Sequence, residues 1–159
     1  MLEQLAGLLR TQSNYGDSEL LYRRALAITE KALGYEHPFT ATCLHNLGGL
    51  RQKQHDYTEA EPLYRHALAI DEKALGPEHP GTATDLNNLA RLLEEQGRCK
   101  EAEHLYRRAL VIRETAFDKK HPDIANSLAG LAFLHRRLGN NKKAKGFEQR
   151  ARNILRKKR

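Results

Sequence analysis

A chain of 159 residues with 40% hydrophobic content, 6% aromatic content and no Trp has to build its core from Leu, Ala and Ile. That composition suits close helix–helix packing and excludes a large aromatic-lined pocket. The formal net charge of +7 is concentrated at one end, because residues 140–159 hold nine Lys or Arg against one Glu and residues 1–139 are close to neutral.

The two cysteines, Cys43 and Cys99, show no spacing for a disulfide framework or a metal site and point to a reducing compartment. No apolar run approaches about 18 residues and no leader pattern opens the chain. The expectation is a cytoplasmic protein with no membrane span.

In chain order, Leu2, Leu5, Ala6, Leu8 and Leu9 follow helical spacing from the start. Met1 aligns with Cys43, so the first unit lacks the entry seen later, and the chain reads as a piece of a longer array. Asn14, Gly16, Asp17 and Ser18 form a turn and a helix start. The helix that follows extends to about Leu33, with Leu21, Tyr22, Ala25, Leu26 and Ile28 on one side. Gly34 closes it by taking a left-handed conformation, Gly76 repeats that signal and Asp118 substitutes for it.

His37-Pro38, His79-Pro80 and His121-Pro122 recur every 42 residues, each Pro suited to the first position of a helix. Leu44, Asn46, Leu47 and Gly48 are echoed by Leu86, Asn88, Leu89 and Ala90, then by Leu128, Gly130, Leu131 and Ala132. A fixed period near 40 residues means one supersecondary unit stacked on copies of itself. Within each unit a helix A is followed by a break (His55-Asp56, Gly97-Arg98) and a helix B. Ala60, Tyr64 and Ala67, and likewise Ala102, Tyr106 and Ala109, alternate small with large for close packing. In the last unit Glu148 replaces the Tyr and Arg152 a Leu, while Ala144, Phe147, Ala151, Ile154 and Leu155 keep one apolar stripe. That polarity marks a terminal, capping unit.

These expectations amount to an all-α solenoid of antiparallel helix pairs, with about four repeats and eight helices. The units are 1–33 (truncated), 38–75, 80–117 and 122–157 (capping), with a basic end at 150–159. His37, His79 and His121 fall one repeat apart, too far to share a metal, and serve helix entry. Glu94 with Glu95, or Glu101 with Glu103, read as charges on exposed helix faces. No nucleophile–base set, phosphate loop or metal motif is present, so no enzyme, cofactor or metal is expected.

The helix pairs resemble the tetratricopeptide repeat on Leu86, Leu89 and Ala90 in helix A, Gly97 at the turn, and Ala102, Tyr106 and Ala109 in helix B. The ordinary unit has 34 residues and ends helix B at a Pro. Here Glu72 and Glu114 stand at that place, and helix B continues to Leu75 or Phe117. Together with the runs ALGPEHP and LNNLA, this looks like the kinesin light chain type of repeat. The chain departs from that type where a Tyr is common late in helix A, having Leu9, Arg51, Leu93 and His135 instead.

The resemblance implies a right-handed superhelix whose concave groove is lined by helix A and receives a peptide. The helix A Asn would hydrogen-bond the peptide backbone, a role that falls to Asn46 and Asn88; Gln4 holds that offset in the first unit and Gly130 in the last. Thr42, Thr84 and Asn126 lie one turn earlier, Arg91 one turn later, and Lys53 and Arg137 further along. The expected partner is a protein or peptide with acidic residues. Nucleic acid is disfavoured because the basic end lacks stacking aromatics. The chain is expected to be monomeric, with end-to-end association as the alternative.

Overall fold

The computed structural model describes Gln4, Ala6, Gly7 and residues 14–156. Seven helices run between residues 14 and 156: α1 (Tyr15–Leu33), α2 (Pro38–Lys53), α3 (Tyr57–Ala74), α4 (Pro80–Glu95), α5 (Cys99–Ala116), α6 (Pro122–Arg137) and α7 (Asn141–Leu155). Gln4, Ala6 and Gly7 are helical as well. Leu2, Leu5, Leu8 and Leu9, on which the expected first helix rests, lie outside the described residues, as do residues 157–159 of the basic end. No strand occurs among the described residues.

Helix starts follow from side-chain chemistry. His37, His79 and His121 are N-caps, and each imidazole Nδ1 accepts the N–H two residues on, at 3.2, 3.0 and 3.2 Å. Pro at the next position has no N–H to satisfy, so the His-Pro pair resolves part of the unmatched first turn. Asp56 caps α3 by accepting from Glu59 N at 3.2 Å.

The turns from α2 to α3, α4 to α5 and α6 to α7 share one backbone solution. Gly97 and Gly139 have φ of 81° and 75°, and His55, at the same repeat position, is held at φ 60°. Such short turns make the packed neighbours antiparallel. Gly34 and Gly76 also have positive φ. Asp118 does not substitute for them: α5 ends at Phe117 with φ −120° and ψ 158°, an extended exit that requires no glycine.

The chain divides into two compact units, residues 1–77 and 78–159. In the first, α2 packs on both α1 and α3. Ala6, Tyr22, Leu47 and Leu50 form one buried cluster and Ala41, Leu44, Ala67 and Ile70 another, with Leu26 and Leu63 packed against both. Ile28 departs from the expected stripe and is exposed. Helices α4, α5, α6 and α7 of the second unit pack in sequence, and α4 also touches α6. Leu86, Leu89, Leu92 and Leu93 of α4, Tyr106 and Ile112 of α5, and Leu128, Leu131 and Leu134 of α6 are buried.

A link between helices A and B recurs twelve residues apart. Tyr64 Oη donates to Gln52 Oε1 at 2.9 Å, and Tyr106 Oη donates to Glu94 Oε2 at 3.2 Å. The last pair replaces this bond with an Arg136–Glu148 ion pair at the same positions.

Candidate functional site

Helical spacing puts Thr42, Asn46 and Lys53 on one side of α2, and Thr84, Asn88 and Arg91 on one side of α4. Thr42, Lys53, Thr84 and Arg91 are exposed, and the two Asn are half-buried. Thr42 Oγ1 donates to Pro38 O at 3.1 Å and Thr84 Oγ1 to Pro80 O at 3.3 Å, so both threonines are oriented by their own helix. Asn88 Nδ2 donates to Thr84 O at 2.8 Å.

In the second unit α4, which carries Thr84, Asn88 and Arg91, touches α6, which carries Asn126 and Arg137. Ser127 Oγ donates to Asn87 Oδ1 at 3.3 Å. Toward the other end, Arg137 Nη1 donates to Glu94 O at 2.8 Å and lies 3.8 Å from Glu94 Oε1. Arg137 thus places a cation on the last carbonyls of α4, where the helix dipole favours it. Asn126 is exposed. Thr42, Asn46 and Lys53 belong to the first unit and form a face of their own there.

Sequence reasoning missed several residues behind this face. Arg113 of α5 is 4% exposed. Its Nη1 donates to Asp123 O and Ser127 Oγ, both at 3.0 Å, and its Nη2 to Thr84 Oγ1 at 3.1 Å. One guanidinium therefore ties α5 to both α4 and α6 and fixes the hydroxyl of a candidate face residue. Burial lowers its pKa, and the Asp123 charge opposes the shift. Repeat alignment gave no signal, because the same position is Thr29, Asp71 and Leu155 elsewhere.

Glu94 corrects the sequence expectation: it is 2% exposed, not on a solvated face. Desolvation raises its pKa, and the Tyr106 hydroxyl and the Arg137 charge offset part of that. The same burial and the Glu94 charge push the Tyr106 hydroxyl up. Gln52 holds the same place against Tyr64 one repeat earlier.

Glu103 behaves oppositely. The hydrogen bond from Arg107 lowers its pKa, burial opposes this, and the nearby His135 lowers it further. His135 Nε2 lies 3.3 Å from Glu103 Oε1, and its ring stacks on Phe147 at 5.6 Å. Arg51, at the same repeat position, pairs with Glu19 and with Glu59. Arg51 and His135, standing where the kinesin light chain type commonly has Tyr, thus bind neighbouring helices together.

The face offers amides, hydroxyls and guanidinium groups, a set that recognises peptide backbone and carboxylates. Among the described residues, no group of three or more His, Cys, Asp or Glu is placed to hold a metal ion. No described helix is long and apolar enough to cross a membrane.

No curated protein matches the sequence. The tetratricopeptide repeat family model matches residues 1–73, 44–115 and 104–157. Among solved structures, BtubC (BKLC) from P. vanneervenii is 25% identical with a TM-score of 0.83, over 96% of this chain and 61% of that one. The apo form of RapI is 20% identical with a TM-score of 0.79, over 96% of this chain and 41% of that one. The chain thus spans less than two thirds of the length of both. Kinesin light chain-like, nearly identical TPR-like repeats from Podosopora anserina are 20% identical with a TM-score of 0.64, over 96% of this chain and 92% of that one. At 20% identity the likeness is one of fold. With a 42-residue period and the family match over nearly its whole length, the chain belongs to the tetratricopeptide repeat family.

Proposed function

We propose that the chain is a non-catalytic protein-interaction module that binds a peptide or partner segment on the helix A faces of its two units. The observation that carries this reading is the recurrence of Thr42 and Asn46 on α2 as Thr84 and Asn88 on α4, with Lys53 and Arg91 further along the two helices at different repeat positions. An Asn amide pairs with a peptide group whatever the ligand's side chains, and a repeated Asn suits an extended backbone. Lys53, Arg91 and Arg137 favour a ligand with acidic residues.

The affinity of a peptide selected from a displayed random library tests the reading. Asn46→Ala with Asn88→Ala is expected to weaken binding by about tenfold or more, the cost of leaving ligand groups unpaired. An unchanged affinity removes the assignment.

A further inference from the structure

The second unit contains its own example of a helix docking on a helix pair. Three of the side-chain contacts that seat helix α6 on α4 and α5 have counterpart positions on the next face. Arg137 reaches Glu94, His135 lies 3.3 Å from Glu103, and Gly130 receives the ring of Tyr106. At two of these places a nitrogen-bearing side chain of α6 meets a carboxylate of α4 or α5.

The next face, formed by α6 and α7, has cations where those two carboxylates stand, and Glu148 in the place of Tyr106. One repeat on from Glu94 and Glu103 stand Arg136 and Lys145, both exposed. A cleft of about 290 Å³ opens between α6 and α7, lined by Ala129, Ala132, Phe133 and Ala151. Phe133 is 60% exposed at its edge. Glu148 lies within this rim, paired with Arg136 and 4.0 Å from Arg152, so the cations outnumber it. We propose that the face formed by α6 and α7 docks an acidic amphipathic helix of a partner protein, seated as α6 is seated on α4 and α5.

Charge complementarity selects that occupant. A second copy has no such helix to offer, because the same face of its α6 is packed in its own fold, with His135 buried and Arg137 held by Glu94. A helix with carboxylates at those two places pairs with both cations, and an apolar flank fills the cleft beside Phe133. Phe133 stands one repeat on from Arg91 and borders the helix A face proposed for peptides, whereas Lys145 belongs to α7, so Lys145→Glu tests this docking apart from that reading.

Two stapled helical peptides spanning residues 122–137 serve as probes, one with the native sequence and one carrying H135E and R137E. Fluorescence anisotropy against the full chain is expected to show the charge-reversed peptide binding about tenfold more tightly. Lys145→Glu, at an exposed position that the fold tolerates, should remove most of that preference, and Phe133→Ala should weaken binding of the charge-reversed peptide. Equal affinities, no binding by either peptide up to about 1 mM, or a preference untouched by Lys145→Glu would overturn the proposal. So would capture of a single-stranded oligouridylate in place of the charge-reversed peptide, which would make the face a polyanion surface.

Discussion

The ring of Tyr106 lies so close to Gly130 that a methyl group there would sit 2.4 Å from Cε1, nearer than packed carbon atoms tolerate. Gly130→Ala is therefore expected to destabilise the second unit by about 1–3 kcal/mol in urea unfolding. Gly146→Ala in α7, where an added methyl meets nothing within 4 Å, should instead stabilise by ~0.5–1 kcal/mol through helix propensity. The same Tyr106 supports Glu94. Because burial raises the Glu94 pKa, the folded chain holds that proton more readily than the unfolded one. Its ionisation therefore costs stability as pH rises above the ordinary carboxylate range, and the cost vanishes as pH falls through it. Glu94→Gln keeps an acceptor for Tyr106, as Gln52 does for Tyr64. It should stabilise by about 1 kcal/mol at pH 7 and by much less near pH 4, compared by urea unfolding at the two pH values. A variant less stable than the parent at pH 7 would contradict the assigned cause. Neither effect was visible from spacing alone. Gly130 aligns with Asn46 and Asn88, and Glu94 precedes another Glu, so only the inter-helix contact reveals what each position does.

At the scale of the element, the helix starts were legible because they rest on local chemistry. His-Pro announces an N-cap and a first turn within two residues, and all three occur where the 42-residue period puts them. His79→Ala should cost about 1 kcal/mol of stability and His79→Asn little, since Asn keeps an acceptor for the first-turn N–H. The A–B turns were legible as breaks but not as strain. His55 is held at φ 60° where its counterparts Gly97 and Gly139 sit without penalty. His55→Gly is expected to stabilise the first unit by ~0.5–1 kcal/mol in thermal or urea unfolding, and a loss of stability would show that the His55–Tyr57 contact at 3.0 Å outweighs the backbone term. The ties made by Arg113, Arg51 and His135 were illegible. Each side chain crosses to another helix, and each position changes chemical class from one repeat to the next.

For the whole molecule, the tetratricopeptide repeat architecture was readable because period, turn residues and the Ala–Tyr alternation all agree, as sequences that specify one fold tend to do. The candidate face was readable only as far as exposure and repetition allow. Thr84 proves to be held by Arg113 from behind, and Arg137 already occupies the end of α4. The central proposal is that the helix A Asn of each unit, Asn46 or Asn88, pairs with the main chain of a bound peptide. The most direct measurement is a calorimetric cycle with a library-selected peptide, its backbone N-methylated analogue, the parent chain and the Asn46→Ala/Asn88→Ala variant. The account predicts that N-methylation costs about tenfold in affinity against the parent and nothing further against the variant. Equal losses against both chains would contradict it.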